Sequence, residues 1–205
     1  MKKIFFVCLV SVLFSACASL PFRSSCPVYL EQPSFFSMGE KLAAFRLQAT
    51  GYGASIDGIL QIKLISENTY EITVFSALGG YRILQAVVYP DRVEYPFLLP
   101  DLDRAVVKAK LNRFWKLLIF KPGADWVCKK TSSGLQLKDK NAKGIYYTYL
   151  SQQVRPASLT YKGTFSSVEL SFDEYAPYET GELAHHLVYK DGAAEVDLTL
   201  LTLKK

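Results

Sequence analysis

The chain has 205 residues, half of them apolar, 21% charged and 14% aromatic. That balance excludes a disordered or low-complexity chain, and the lack of any apolar run of about 18 residues excludes a protein built from membrane-spanning helices. The net charge of +5, which includes Lys2 and Lys3 at the very start, is too mild to point to nucleic acid.

Met1-Lys2-Lys3 leads into the apolar stretch Ile4–Phe14 and then Ser15-Ala16-Cys17. A positive start, a short apolar core and small residues at its end predict a secretory signal peptide over residues 1–16. The core is too short to stay in a bilayer as a spanning helix. Leu13-Phe14-Ser15-Ala16-Cys17 resembles the bacterial lipobox, with Phe14 where an aliphatic residue is usual. The resemblance implies a diacylated Cys17 as the mature amino terminus. The alternative is an ordinary cleaved signal with Cys17 left as a plain residue. Each buried methylene of an acyl anchor adds about 0.8 kcal/mol, so several chains detach slowly. Ala18 follows the cysteine, which by the enteric sorting rule implies the outer membrane, on its periplasmic face.

Four cysteines are too few for a disulfide scaffold and are not spaced as a zinc site. Cys8 leaves with the signal and Cys17 takes the lipid. Cys26 and Cys128 remain for an oxidising compartment, either as a disulfide closing a loop of 102 residues or as two separate thiols. Geometry decides between them.

Residues 17–41 carry Pro21, Pro27 and Pro33 without any period. They read as a tether, with a short helical turn at Phe35–Lys41. Residues 42–205 read as one domain. Ala44–Thr50 is a first strand, broken by Gly51-Tyr52-Gly53. Ile56–Ser66 alternates, with Ile56, Gly58, Leu60, Ile62 and Leu64 on one face. Glu67-Asn68 turns the chain into Tyr70–Ser76, whose Tyr70, Ile72 and Val74 share a side. Ala77-Leu78-Gly79-Gly80 is a glycine-rich loop before Arg82–Tyr89, and Arg92–Phe97 follows Pro90-Asp91. Short turns between successive strands predict an antiparallel meander. Strands apolar on both faces need cover on both sides.

Asp101–Phe120 has no Gly or Pro and is rich in helix formers. It predicts one helix of five turns, or two shorter ones, with Asp101 and Asp103 at the positive end and Lys116 at the negative end. Pro122-Gly123 stops it. Strands resume at Asp125–Thr131, Leu135–Lys138, Gly144–Leu150, Ser158–Lys162 and Ser166–Asp173, with Lys138–Lys143 as a charged loop. Asp173–Gly181 reads as irregular. Leu183–Tyr189 and Ala194–Leu203 form a closing hairpin across Asp191-Gly192. The expected fold is mainly β: an antiparallel open half-barrel of about eleven strands, with a helical lid inserted after the fifth.

No nucleophile elbow, phosphate loop or dinucleotide fingerprint occurs. The only histidines, His185 and His186, are adjacent and point to opposite faces of a strand, so no metal site is expected. Ser132-Ser133-Gly134 and Ser166-Ser167 read as turn residues. Asp173-Glu174 reads as solvated charge. No catalytic residue and no cofactor is assigned. The 26 Tyr and Phe residues suit ordinary core as well as the wall of an apolar cavity. Lid and cavity candidates are Ile62, Leu64, Tyr70, Ile72, Val74, Phe114, Trp115 and Leu118.

Tyr70–Gly80 is similar to a strand, loop and following strand of the LolB family of outer-membrane lipoprotein receptors, within the LolA/LolB half-barrel superfamily. Arg113-Phe114-Trp115 with Pro122-Gly123 is similar to that family's helix ending in Pro-Gly. Leu159-Thr160-Tyr161, Leu170–Tyr175, Leu187–Gly192 and Val196-Asp197-Leu198 follow its closing strands. The resemblance covers most of residues 42–203. Ala77 stands where the family has proline. The resemblance implies an acyl-binding cavity under the helix and a membrane-insertion loop at Leu78, Gly79 and Gly80. It also implies lipoprotein or lipid acyl chains as ligands, received from a periplasmic carrier protein by a monomer. Leu78 folded over the barrel mouth as core is the other reading of that residue. Two further readings of the chain stay open: an amphiphile binder of the same fold in another envelope or surface-polymer pathway, and a structural envelope lipoprotein.

Overall fold

The computed structural model describes residues 41–51, 53–119, 126–132, 134–139, 144–150, 155–163, 167–178 and 181–204. The expected signal peptide, Cys17, the expected tether with Cys26, Pro122-Gly123 and most of the charged loop lie outside the described residues. The elements are β1 (Leu42–Gly51), β2 (Ala54–Ser66), β3 (Thr69–Ser76), β4 (Arg82–Val88), β5 (Val93–Leu98), α1 (Ala105–Leu118), β6 (Trp126–Thr131), β7 (Gly134–Asp139), β8 (Ile145–Leu150), β9 (Ser158–Lys162), β10 (Ser167–Tyr178), β11 (Gly181–Asp191) and β12 (Ala194–Lys204).

All twelve strands join one sheet in the order β5-β4-β3-β2-β1-β12-β11-β10-β9-β8-β7-β6. Every pairing is antiparallel. Two meanders are sewn together where β1 meets β12, from Leu42 opposite Lys204 to Thr50 opposite Glu195. The sheet has two edges, β5 and β6, and α1 is the connection between them. A link between opposite edges of a curled sheet has to cross its open side, so α1 becomes the lid.

Alternation does most of the work. In β3, Tyr70, Ile72 and Val74 are buried and the residues between them are half-exposed. In β2, Leu60 and Ile62 are fully buried while Ile59 and Gln61 face water. Gly58 sits in β2 where a Cβ would come within 2.2 Å of the Phe75 carbonyl oxygen, so only glycine lets β2 and β3 approach there. Edge strand β5 carries Pro96 in a segment where the register against β4 shifts. A proline and an irregularity both suit an edge and discourage further pairing.

Three expectations need correction. The strands among the described residues number twelve rather than about eleven. The helix begins at Ala105, not Asp101. Leu102 and Asp103 close turns onto the Leu99 carbonyl, and Arg104 is extended at φ −119° and ψ 140°. Asp101 and Asp103 therefore precede the helix, and its first turn holds no acid. Lys116 does lie in the last turn. Third, the irregular stretch Asp173–Gly181 is mostly strand: β10 runs to Tyr178 and pairs with β11 as far as Tyr178 opposite Gly181. Among the described residues, no β9 residue pairs with β10 beyond Ser171, so Pro177 lies in the stretch that β11 alone pairs with. Glu174, at φ 50°, falls between the Asp173–His186 and Tyr175–Ala184 pairs. Tertiary pairing overrides the poor strand propensity of this acidic, proline-containing run.

Candidate functional site: lid helix, end cleft and β3–β4 turn

Helix α1 presents Phe114, Trp115, Leu117 and Leu118 to the interior, all buried. The Phe114 ring lies 4.8 Å from Tyr189 of β11 and 4.7 Å from Trp115. Polar contacts tie the same helix to three strands. Tyr95 of β5 donates its hydroxyl to Asn112 Oδ1 at 2.6 Å. Lys116 Nζ lies over the Tyr161 ring of β9 at 5.6 Å. Asp191, at the end of β11, is 5% exposed and takes Lys110 Nζ at 3.0 Å on one oxygen and an Arg113 N–H at 2.9 Å on the other. Lys110 also donates to the Asp191 carbonyl oxygen at 3.1 Å. Burial pushes the Tyr95 phenol up to about 12. Burial first, then the Asp191 charge, raises Tyr189 as well. Neither phenol ionises near neutral pH, so both act as hydrogen-bond donors or packing surface.

The eight lid and cavity candidates separate into three places. Ile62, Ile72, Val74, Phe114, Trp115 and Leu118 belong to one buried cluster, and Leu64 packs against its edge. Tyr70 belongs to that cluster and also lines a cleft of about 470 Å³. The cleft lies between the β2–β3 turn, the β4–β5 turn and the last turns of α1. Its wall is formed by Asn68, Tyr70, Val88, Val93 and Ile119, and its rim by Tyr89–Arg92, Asn112 and Lys116. Arg92 stacks over Tyr89 at 4.1 Å and pairs with Glu94 at 2.9 Å and Asp91 at 3.3 Å.

The β3–β4 turn is at the other end of the same strands. From Thr69 to Ser76 the chain climbs about 23 Å. Ser76 Oγ accepts the Leu78 N–H at 3.1 Å and donates to the Leu78 carbonyl at 3.0 Å. Gly79 and Gly80 have φ of 88° and 63°, a region where a Cβ is strained. This closed loop holds Leu78 out at 85% exposure, with Tyr81 beside it at 56%. Leu78 is not folded over the barrel mouth.

His186 Nε2 lies 2.8 Å from Asp197 Oδ2 across the β11–β12 pair. The Asp197 hydrogen bond raises the His186 pKa, with smaller contributions from Glu174 and Asp173. Among the described residues no group of three His, Cys, Asp or Glu side chains could hold a metal ion. Cys128 is buried and disulfide-bonded, and Cys26 lies outside the described residues.

Sequence reasoning missed Asp191 and the cleft rim. Asp191-Gly192 reads as a hairpin signal, and nothing local says that the carboxylate turns inward to meet two cations 78 and 81 residues away. The only hint is Lys110 and Arg113 at a spacing of three on an otherwise apolar helix face.

Among the described residues, twelve antiparallel strands in one open sheet, with a helix passing from edge to edge, match the crystal structure of a LolA-superfamily protein from Nitrosomonas europaea. That match has a TM-score of 0.50 and 9% identity, and covers 82% of this chain and 87% of the other. The fold is LolA-like. The crystal structure of a "putative outer membrane lipoprotein-sorting protein domain" from Vibrio parahaemolyticus aligns with a TM-score of 0.46 and 12% identity over 82% of this chain and 86% of that one. A DUF1329 family protein from Desulfovibrio piger aligns at 0.47 and 8% over 81% and 86%. No protein-family profile and no curated protein matches the sequence. At such low identity the likeness fixes the architecture alone.

Proposed function

We propose that this chain is a lipid-anchored protein of the bacterial outer membrane that handles acyl chains and helps to receive or insert lipoproteins there. The observation that carries the reading is Leu78: a large apolar side chain held 85% exposed by a glycine-closed loop on a LolA-like fold. Such a residue gains nothing from the fold, whereas a bilayer rewards its burial at roughly 25 cal/mol per Å². Tyr81 beside it has the ring-plus-hydroxyl character that suits a membrane interface.

The proposed anchor and this loop leave the domain from opposite ends of the strands. Lys41 hydrogen-bonds Leu64 and Lys204, at the end of β1 away from the β3–β4 turn. The strands are about 30 Å long. With Cys26 unbonded, the 24 residues Ala18–Lys41 reach up to about 80 Å when extended, and both ends can engage one membrane. A Cys26–Cys128 bond would instead hold the anchor within about 30 Å of β6. Transfer needs no nucleotide if affinity for the acyl chain rises from carrier to this protein to bilayer, and no catalytic step is assigned.

The test is a transfer assay. An acylated lipoprotein loaded on a periplasmic carrier is mixed with outer-membrane vesicles bearing this protein or its Leu78→Glu form. Cargo in the membrane should appear with the wild type and not with the variant. Absence of transfer by folded, anchored wild type would overturn the receptor reading. A second reading, a structural envelope lipoprotein, draws on the side chains packed beneath α1, which share one buried cluster with the sheet. It requires that removal of the protein leave lipoprotein sorting normal.

A further inference from the structure

The end cleft joins an apolar wall to hydrogen-bond donors at its rim. Tyr70 and Val88 are buried, and Val93 and Ile119 are half-buried, so these four side chains give the wall an apolar face. Its volume of about 470 Å³ falls in the range of roughly 300–1,000 Å³ typical of small-molecule sites. Three donors line the rim. Asn112 spends its oxygen on the Tyr95 hydroxyl, which leaves its NH₂ to donate. Arg92 uses Nε on Glu94 and one further N–H on Asp91, and a guanidinium has five N–H groups in all. Among the described residues Lys116 pairs with no carboxylate and rests only on the Tyr161 ring. A cation in the last turn of a helix complements the terminal carbonyls in any case. Here its side chain also lines the cleft, where the one lining carboxylate, Asp91, is already engaged by Arg92.

We propose that this cleft binds a singly chained anionic amphiphile, an alkyl carboxylate or alkyl phosphate, with its head at Lys116, Asn112 and Arg92 and its first methylenes against Tyr70, Val88, Val93 and Ile119. The inference rests on the acyl-handling reading and names the ligand class. It places the ligand at the end of the strands opposite Leu78, so the bound chain and the membrane-seeking loop are separate parts.

The purified full chain is titrated calorimetrically with dodecanoate, dodecyl phosphate and dodecanol below their aggregation concentrations. Both anions should bind about tenfold or more tighter than the alcohol, the size of one charge-assisted hydrogen bond. Which anion binds tighter separates a free fatty acid from a phosphate head. Lys116→Gln should remove most of the preference for anions and leave dodecanol binding unchanged, with an unaltered circular dichroism spectrum. Ile119→Trp, which fills the cleft from its wall, should weaken all three ligands. Equal binding of dodecanoate and dodecanol, or no binding of either by a wild type that still supports lipoprotein transfer, sinks this inference alone. Loss of both binding and transfer sinks it together with the acyl-handling reading.

Discussion

Leu118 at the end of α1 is 4% exposed, and Leu78 in the β3–β4 turn is 85% exposed. Both leucines lie in connections between strands, one between β5 and β6 and the other between β3 and β4. The difference comes from what surrounds them. Helix α1 is the only link between two sheet edges, so it crosses the concave side and finds an apolar face waiting. The β3–β4 turn projects beyond the sheet, where its glycines close the loop before any neighbour can cover it. Burial here is decided by connection topology, and residue type sets only how much burial is worth. The polar contacts follow the same division: α1 is tied down by Asp191, Tyr95 and Tyr161, whereas the turn is held by its own Ser76 hydroxyl.

The contrast breaks most sharply at Trp115, which is 1% exposed. Trp115→Ala should cost about 3–5 kcal/mol, read as a lower urea midpoint at constant slope. A loss below about 1 kcal/mol would mean that α1 is a loosely seated lid. Next comes the Cys128 disulfide. Peptide mapping under non-reducing conditions should find it joined to Cys26, and Cys26→Ser should cost about 2–4 kcal/mol. That bond would also shorten the free tether to the nine residues Ala18–Cys26, about 30 Å of reach from β6. A peptide map that pairs Cys128 with another cysteine would remove the second effect.

Asp191→Asn is the third step. It keeps the shape but removes the Asp191 charge that Lys110 and Arg113 meet, at a cost of about 2 kcal/mol from charge-assisted hydrogen bonds. Exchange of the α1 amides should quicken more than that of the β1–β12 ladder, and uniform quickening would show that the helix does not open on its own. On the turn side, Leu78→Glu should change stability by less than about 0.5 kcal/mol while abolishing transfer. A large loss of stability would mean that Leu78 packs as core after all.

The smallest effect is expected at His186. Its pKa is raised because Asp197 favours the imidazolium. That stabilisation is complete below the unfolded value of about 6.5, and it is lost as pH rises through the higher folded value. An NMR titration should place His186 above a free imidazole, and Asp197→Asn should bring it down. An unchanged midpoint in the variant would assign the shift to another neighbour.

Much of this was legible from residue order. The period of two in Ile56–Ser66 and Tyr70–Ser76 placed the right side chains inside, and the break at Pro100 announced a helix before the second run of strands. Asp173–Gly181 was not legible, because strand formation there depends on pairing with β11 rather than on its own acidic, proline-containing residues. The start of α1 is hidden for a similar reason. Asp101 and Asp103 look like first-turn acids, yet the backbone spends their positions on a turn against Leu99. Among the site residues, Leu78 was singled out from its glycines and its family likeness. Asp191, Asn112 and Lys116 were not grouped, because the contacts that join them to their partners cross the barrel.

By itself, the sequence determined the period of the strands, the position of the helix between the fifth and sixth strands, and the closed loop that carries Leu78. Those follow from local sterics, from alternation and from glycine. Tertiary structure alone decided that β1 and β12 seal the two meanders into one sheet, that α1 packs into its interior, and that Lys116, Asn112 and Arg92 rim a common cleft. Each of those depends on which distant surfaces meet, and a linear pattern encodes which face of an element is apolar without saying what it will face.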